Sequence, residues 1–167
     1  MSEISTLTYV AQSRIDTPLG PLAAVATARG LAGLWFDAQS HHPGVLDAPR
    51  NDEHPWLQAT ARGLAAYWRG EEAPFEVPLD LHGTAFQRAV WQALLRIGRG
   101  HTCTYGEIAA QAGSPAAVRA AGAAIGRNPV SIIVPCHRVI GRDGSLTGYA
   151  GGLERKLALL QLEGVLK

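Results

Sequence analysis

Residues 104–127, TYGEIAAQAGSPAAVRAAGAAIGR, decide how the chain folds. Thr104 followed three residues later by Glu107 is a capping box, so a short helix carrying Ile108, Ala109 and Ala112 begins there. Gly113 closes it, because glycine enters the left-handed backbone of a helix end without steric cost. Ser114 then caps, and Pro115 opens, a second helix that runs to Arg127. Two short helices joined by a glycine turn are the outline of a helix-turn-helix. The second is rich in alanine and glycine, which lets its backbone approach a partner closely, and it carries Arg119 and Arg127.

Downstream, after Asn128-Pro129, comes IIVPCHRVIG, residues 132–141. A β-branched run bounded by proline reads as a buried strand, and proline cannot donate the next ladder hydrogen bond, so Cys136 falls where a strand gives way to a turn. An imidazole and a guanidinium beside a thiol lower its pKa from about 8.5 and favour the thiolate. Neighbouring side chains diverge in extended chain, so His137 would reach Cys136 through a water, and an acid such as Glu163 would orient the imidazole. The turn GRDGSLTG and a loop from Gly148 to Gly152 lead into a last helix with Leu153, Leu157 and Leu160 inward.

Upstream, Thr84 with Gln87 forms another capping box, and Phe86, Val90, Trp91, Leu94 and Ile97 make a buried stripe ended by Gly98 and Gly100. Pro55 opens an earlier helix whose Leu57, Ala61, Leu64, Ala65 and Trp68 share one face, and Gly70 stops it. Before that, LTYVA, PLAAVAT and LAGLWF alternate with turn residues, the pattern of antiparallel hairpins, and residues 37–55 form a polar loop. His41 and His42 in that loop lack a third metal ligand at useful spacing. The expected architecture is α/β (α+β): an N-terminal antiparallel sheet with a helix over 1–75, a linker over 76–83, and a C-terminal helical domain with a helix-turn-helix outline over 84–167.

The composition narrows the function. The chain has 167 residues, is 47% apolar and has only two cysteines, Cys103 and Cys136, so it buries a core without a disulfide framework. No apolar run approaches the roughly 20 residues of a membrane span, and the first residues lack the pattern of a secretion signal, so a cytoplasmic location is expected. Residues 1–83 carry 5 Lys/Arg against 10 Asp/Glu, whereas residues 84–167 carry 10 against 4. The second half is therefore the one expected to meet a polyanion. A soft thiol nucleophile beside a nucleic-acid surface suits displacement at an alkyl carbon.

FQRAVWQALLRI, TYGEIA, AVRAAGAAIGRNP, IIVPCHRVIG and GYAGGLERKLALLQLEG, in this order, closely resemble the O6-alkylguanine-DNA alkyltransferases. The resemblance implies that residues 84–167 form a winged helix-turn-helix-like DNA-binding domain and that DNA damage is directly reversed, a flipped-out O6-alkylguanine, or less well O4-alkylthymine, giving its alkyl group irreversibly to Cys136. It implies that His137 deprotonates the thiol through water, that Glu163 orients His137, that Tyr105 hydrogen-bonds guanine N3, that Lys156 assists, and that Asn128 braces the turn. Arg119 would be the finger that fills the gap in the base stack, with Ala117 and Val118 along the minor groove and Ser114 and Arg127 nearby on DNA. Val139, Tyr149, Ala150 and Ser131 would surround the base.

Ala150 stands where many relatives have serine, and Ser131 where some have proline. No cofactor or metal is implied, and the lack of cysteines before Cys103 argues against the zinc site of some relatives. Cys103 itself reads as a buried structural thiol. The implied partner is double-stranded DNA containing alkylated guanine, met by a monomer without an obligate protein partner, with cooperative loading along DNA left open. Two other readings stand beside this one. A non-catalytic alkylated-DNA lesion sensor is disfavoured by Cys136, which sensors of the family replace, and a cysteine hydrolase would show turnover.

Overall fold

The computed structural model describes residues 8–72 and 75–166. Three antiparallel strands come first: β1 (Ala11–Ile15), β2 (Leu22–Ala26) and β3 (Leu31–Phe36), in the order β1-β2-β3. The first strand lies four residues later than LTYVA suggests, and Leu7 falls outside the described residues. The turn sets this register. The Thr17 hydroxyl donates to the Gly20 carbonyl at 2.6 Å and accepts from Leu19 N–H at 3.1 Å, which starts pairing at Ile15 opposite Leu22 and ends it at Ala11 opposite Ala26.

β2 and β3 are buried throughout because both faces of the sheet are covered. Helix α1 (Pro55–Trp68) lays Leu57, Thr60, Leu64 and Tyr67 on one face, with Pro55 at its start as expected. On the other, Val25, Ala32 and Trp35 pack against Tyr9, Leu46 and Ala48. Both outer edges are occupied too. Gln12 exchanges backbone hydrogen bonds with Pro49 and Asn51, Leu31 with Pro78 and Asp80, and Leu34 with Pro129 and Ser131, all at 2.8–3.0 Å.

The second half is built from α2 (Ala85–Leu94), α3 (Tyr105–Gln111), α4 (Val118–Gly126) and α5 (Leu153–Leu162). A parallel pair of two-residue strands, β4 (Cys103–Thr104) and β5 (Val139–Ile140), joins them. The Thr84 capping box is formed, and the Trp91 indole donates to the Ala124 carbonyl at 2.8 Å, tying α2 to α4. One hydrophobic cluster runs from Ala11 and Phe36 through Trp91 and Ile132 to Leu159.

Several expectations are corrected by this packing. α2 ends at Leu94, before Ile97 and the glycines. Ser114 does not cap α4: its N–H bonds the Ala109 carbonyl at 3.0 Å to close α3, while Gly113 takes φ +86°. α4 therefore starts three residues after Pro115, from an Ala117 N-cap without a side-chain hydrogen bond. Cys103 is only half-buried. In α5 the inward residues are Lys156, Leu159 and Leu160, while Leu153 and Leu157 are 50% and 39% exposed.

The run before Cys136 is not a strand. Val130 alone bridges to Leu34, after which the chain turns tightly and Ile132 adopts φ +73°, an uncommon conformation for a β-branched residue. Asn128 is the reason. Its side-chain amide donates to the Val134 carbonyl at 2.7 Å, and its carbonyl oxygen accepts from Val130 N–H at 3.0 Å, taking the groups that a ladder would use. Cys136–Arg138 then form one turn of 3-10 helix.

Candidate active site

The 3-10 turn sends Cys136 into a cleft and both His137 and Arg138 to Glu163. Cys136 is 5% exposed at the floor of a cleft of about 320 Å³, within the lower end of the ligand-pocket range of about 300–1,000 Å³. Burial pushes its thiol above the ordinary cysteine pKa, and the Asn128 side chain and the Lys156 charge pull the other way without cancelling that rise. The sequence neighbours therefore do not produce a resting thiolate. His137 and Arg138 both turn to Glu163, and the thiol needs a base to take its proton.

His137 is fully buried, and its Nε2 lies 2.7 Å from Glu163 Oε2. Arg138 donates to both carboxylate oxygens, at 2.8 Å from Nε and 3.0 Å from Nη2, and to the Ile97 carbonyl at 2.6 Å. The Tyr67 hydroxyl of α1 donates to Glu163 Oε2 at 2.7 Å. Burial alone would raise the Glu163 carboxyl, but the hydrogen bonds from His137, Arg138 and Tyr67 outweigh it and hold the group well below the usual carboxylate range.

An ionised carboxylate only accepts, so His137 carries its proton on Nε2 and keeps the lone pair on Nδ1. That Nδ1 is buried without a hydrogen-bond partner among the described residues. Burial pushes the His137 pKa down against the pull of Glu163, so the ring is neutral near pH 7. The result is a base with one nitrogen fixed by a carboxylate and the other available.

Lys156, from the inward face of α5, donates to the carbonyls of Thr147 at 2.8 Å and Gly148 at 3.3 Å and also bonds Val139 O. Burial lowers its pKa to about 8, against the pull of Cys136. The Tyr105 hydroxyl donates to the Thr147 carbonyl and accepts from the Thr147 hydroxyl, both at 3.2 Å. Tyr105 and Lys156 thus both hold the loop at Thr147.

Tyr105, Tyr149 and Ala150 line the cleft with Cys136. Ser131 and Val139 do not: Ser131 is buried, with its hydroxyl donating to Gln39 Oε1 at 3.3 Å, and Val139 is paired with Cys103 behind the wall. The wall also includes Gly122, Ile125 and Gly126 of α4, and Ser40 and His41 from the first half. Ser40 N–H bonds the Ala150 carbonyl at 2.9 Å, so the loop after β3 is fastened to the rim. His42 instead accepts from Gly44 N–H at 2.9 Å and packs near Trp35.

Outside the cleft, Val118, Arg119 and Arg127 are exposed and Ser114 and Ala117 half-buried, all on or beside α4. Val118 and Arg142 share a second groove with residues 104–107. Tyr105 lines both. Tyr67 and Ser40 escaped the sequence reading, which took Arg138 only as a neighbour lowering the thiol pKa and His41 only as half of a possible metal pair. Tyr67 follows Leu64 by three residues and reads as one more apolar contact, because its partner is 96 positions away.

Comparison with known proteins places this site in context. The family described as "6-O-methylguanine DNA methyltransferase, DNA binding domain" matches residues 85–165, and its "ribonuclease-like domain" matches residues 10–81. A methylated-DNA–protein-cysteine methyltransferase of Mycobacterium leprae is 49% identical over 150 residues, which is 89% of each chain. One from Haemophilus influenzae is 43% identical over 150 residues, covering 89% of this chain and 83% of the relative. The crystal structure of Mycobacterium tuberculosis OGT in complex with DNA superposes with a TM-score of 0.85 at 47% identity, covering 92% of both chains.

Proposed function

The chain belongs to the 6-O-methylguanine DNA methyltransferase family, and from that premise we propose that Cys136 takes the alkyl group from O6 of a guanine extruded from duplex DNA. The protein repairs DNA by transferring an alkyl group to its own cysteine. The observation that carries the assignment to Cys136 is the buried His137 next to it in the chain, with Nε2 fixed on Glu163 at 2.7 Å and Nδ1 without a partner among the described residues.

A water held at Nδ1 passes the thiol proton to His137, and the thiolate attacks the alkyl carbon. The new bond is S–C, the bond that breaks is C–O6, and its electron pair leaves with the base. Tyr105 donates to guanine N3 and offsets the charge that develops there. Glu163 stabilises the imidazolium, and Lys156 favours the thiolate through its charge. Asn128 holds the turn that presents the sulfur. The acceptor is the protein, so each molecule reacts once and needs no cofactor.

Residues 84–167 bind the duplex and residues 1–75 support the site across the connection at 76–83. Arg119 enters the stack as the base leaves, with Ala117 and Val118 along the minor groove and Ser114 and Arg127 on phosphates. The protein acts as a monomer in the cytoplasm, where thiols remain reduced. DNA labelled on the methyl carbon at guanine O6 is expected to transfer one label per protein, recovered on the peptide containing Cys136. The Cys136→Ala variant should transfer none. Absence of label on intact protein, or many products per molecule, would overturn the assignment.

A further inference from the structure

We infer that Tyr67, a residue of the first half of the chain, is a positioning residue that sets the basicity of His137 by sharing Glu163. The inference rests on His137 acting as the base. Tyr67 sits at the end of α1, is 4% exposed, and brings its hydroxyl to Glu163 Oε2 at 2.7 Å, the same oxygen that meets His137 Nε2 at 2.7 Å. Its ring is held from above by Arg99, whose guanidinium lies 5.0 Å from the ring centroid and also donates to the Leu162 carbonyl at 3.2 Å. Tyr67 and Arg99 thus flank the end of α5 just where Glu163 leaves it.

The charged and titratable groups around this point are few. Glu163 meets His137, Arg138 and Tyr67; His137 also feels Arg138 and Lys156; Tyr67 also feels Arg138 and Arg99, and lies near enough to Tyr149 for the two to interact. Arg138 fixes the carboxylate in place through both oxygens. Tyr67 draws only on Oε2. Each donor that an acceptor oxygen serves lowers what it offers the next, so the phenol weakens the pull of Glu163 on the His137 proton. Burial and the Glu163 charge push the Tyr67 hydroxyl well above its usual range, so it remains a donor at all working pH values.

With the hydroxyl gone, Oε2 would serve His137 and Arg138 alone. The imidazolium would gain, and His137 would hold a proton at higher pH. Tyr67→Phe keeps the ring beneath Arg99 and removes only that donor. The acid limb of the rate of methyl transfer against pH should therefore move up by roughly one pH unit, with the plateau rate at higher pH changed less than the rate near pH 6. Incorporating 3-fluorotyrosine at position 67 strengthens the donor and should move the limb the opposite way.

A merely structural role would lower the rate at every pH without moving the limb. The second readout is the nitrogen NMR titration of the His137 ring in the full chain without DNA. The Phe variant should titrate at higher pH and the fluorotyrosine protein at lower pH than the parent. Equal His137 titration in the three proteins overturns the inference, as does a shift of the same sign in both variants. Because this titration needs no substrate, a parent that transfers no methyl group refutes the proposed reaction while the Tyr67 coupling is still decided by the ring signals.

Discussion

At the scale of single residues, the site is an ion-paired carboxylate with three donors, and its cost falls on whichever partner is removed. Arg138 and Glu163 are largely withdrawn from water, with side-chain exposures of 12% and 0%. Removing one member of such a pair leaves an uncompensated buried charge, so Arg138→Met should destabilise the fold by about 3 kcal/mol. Urea unfolding at pH 7 measures this, and a loss under about 1 kcal/mol would contradict the bidentate geometry. In the residues alone the Cys136-His137 pair is a weak signal, because free cysteines are often small core hydrophobes, and it is the family resemblance that singles out these two with Glu163. The resemblance names Lys156 too, but its burial is not legible, since the leucines beside it suggest a different inward face for α5. Its ammonium finds carbonyls supplied by a loop, and no local pattern announces that.

Elements were legible where their ends are fixed by neighbouring residues. Thr84 with Gln87 and Thr104 each mark a helix start by a hydrogen bond spanning three positions, and both starts are where the capping residues put them. α4 starts later than the Ser114-Pro115 pattern suggests because Ser114 has two local uses, and closing α3 wins. The exposed first turn that results sets Val118 and Arg119 next to each other with no capping side chain in front of them. In the proposed DNA complex these two residues would meet the groove. Arg119→Ala should lower repair of duplex substrate at least tenfold while leaving repair of the same lesion in single-stranded DNA within about twofold, since extrusion costs a few kcal/mol only where the base is stacked and paired. Equal loss on both substrates would assign Arg119 to general phosphate binding instead.

Over the whole molecule, charge and core divide differently. The acidic first half and basic second half were visible in residue counts, and the exposed Arg88, Arg96, Arg119, Arg127 and Arg142 lie in the basic half. If about four phosphates are neutralised, raising salt fourfold should weaken binding to undamaged duplex about 10²-fold, measured by fluorescence anisotropy. A slope near zero would mean that binding rests on contacts other than phosphate. The interlock of the halves was not legible. Leu34 meets Val130, Tyr67 meets Glu163 and Ser40 meets Ala150 across separations that periodicity and caps cannot register.

The occupied edges of the three-stranded sheet have one more consequence. An unpaired strand edge is a template for another chain, and an apolar sheet rich in alanine and leucine such as this one would aggregate readily if left raw. Here residues 49–51 blunt the β1 edge, and residues 78–80 and 129–131 blunt the β3 edge. The segment that delivers Cys136 to its cleft is therefore also a guard on solubility. A molecule that opens there loses its reactive geometry and uncovers a sticky edge in the same motion, so loss of activity and onset of aggregation should coincide.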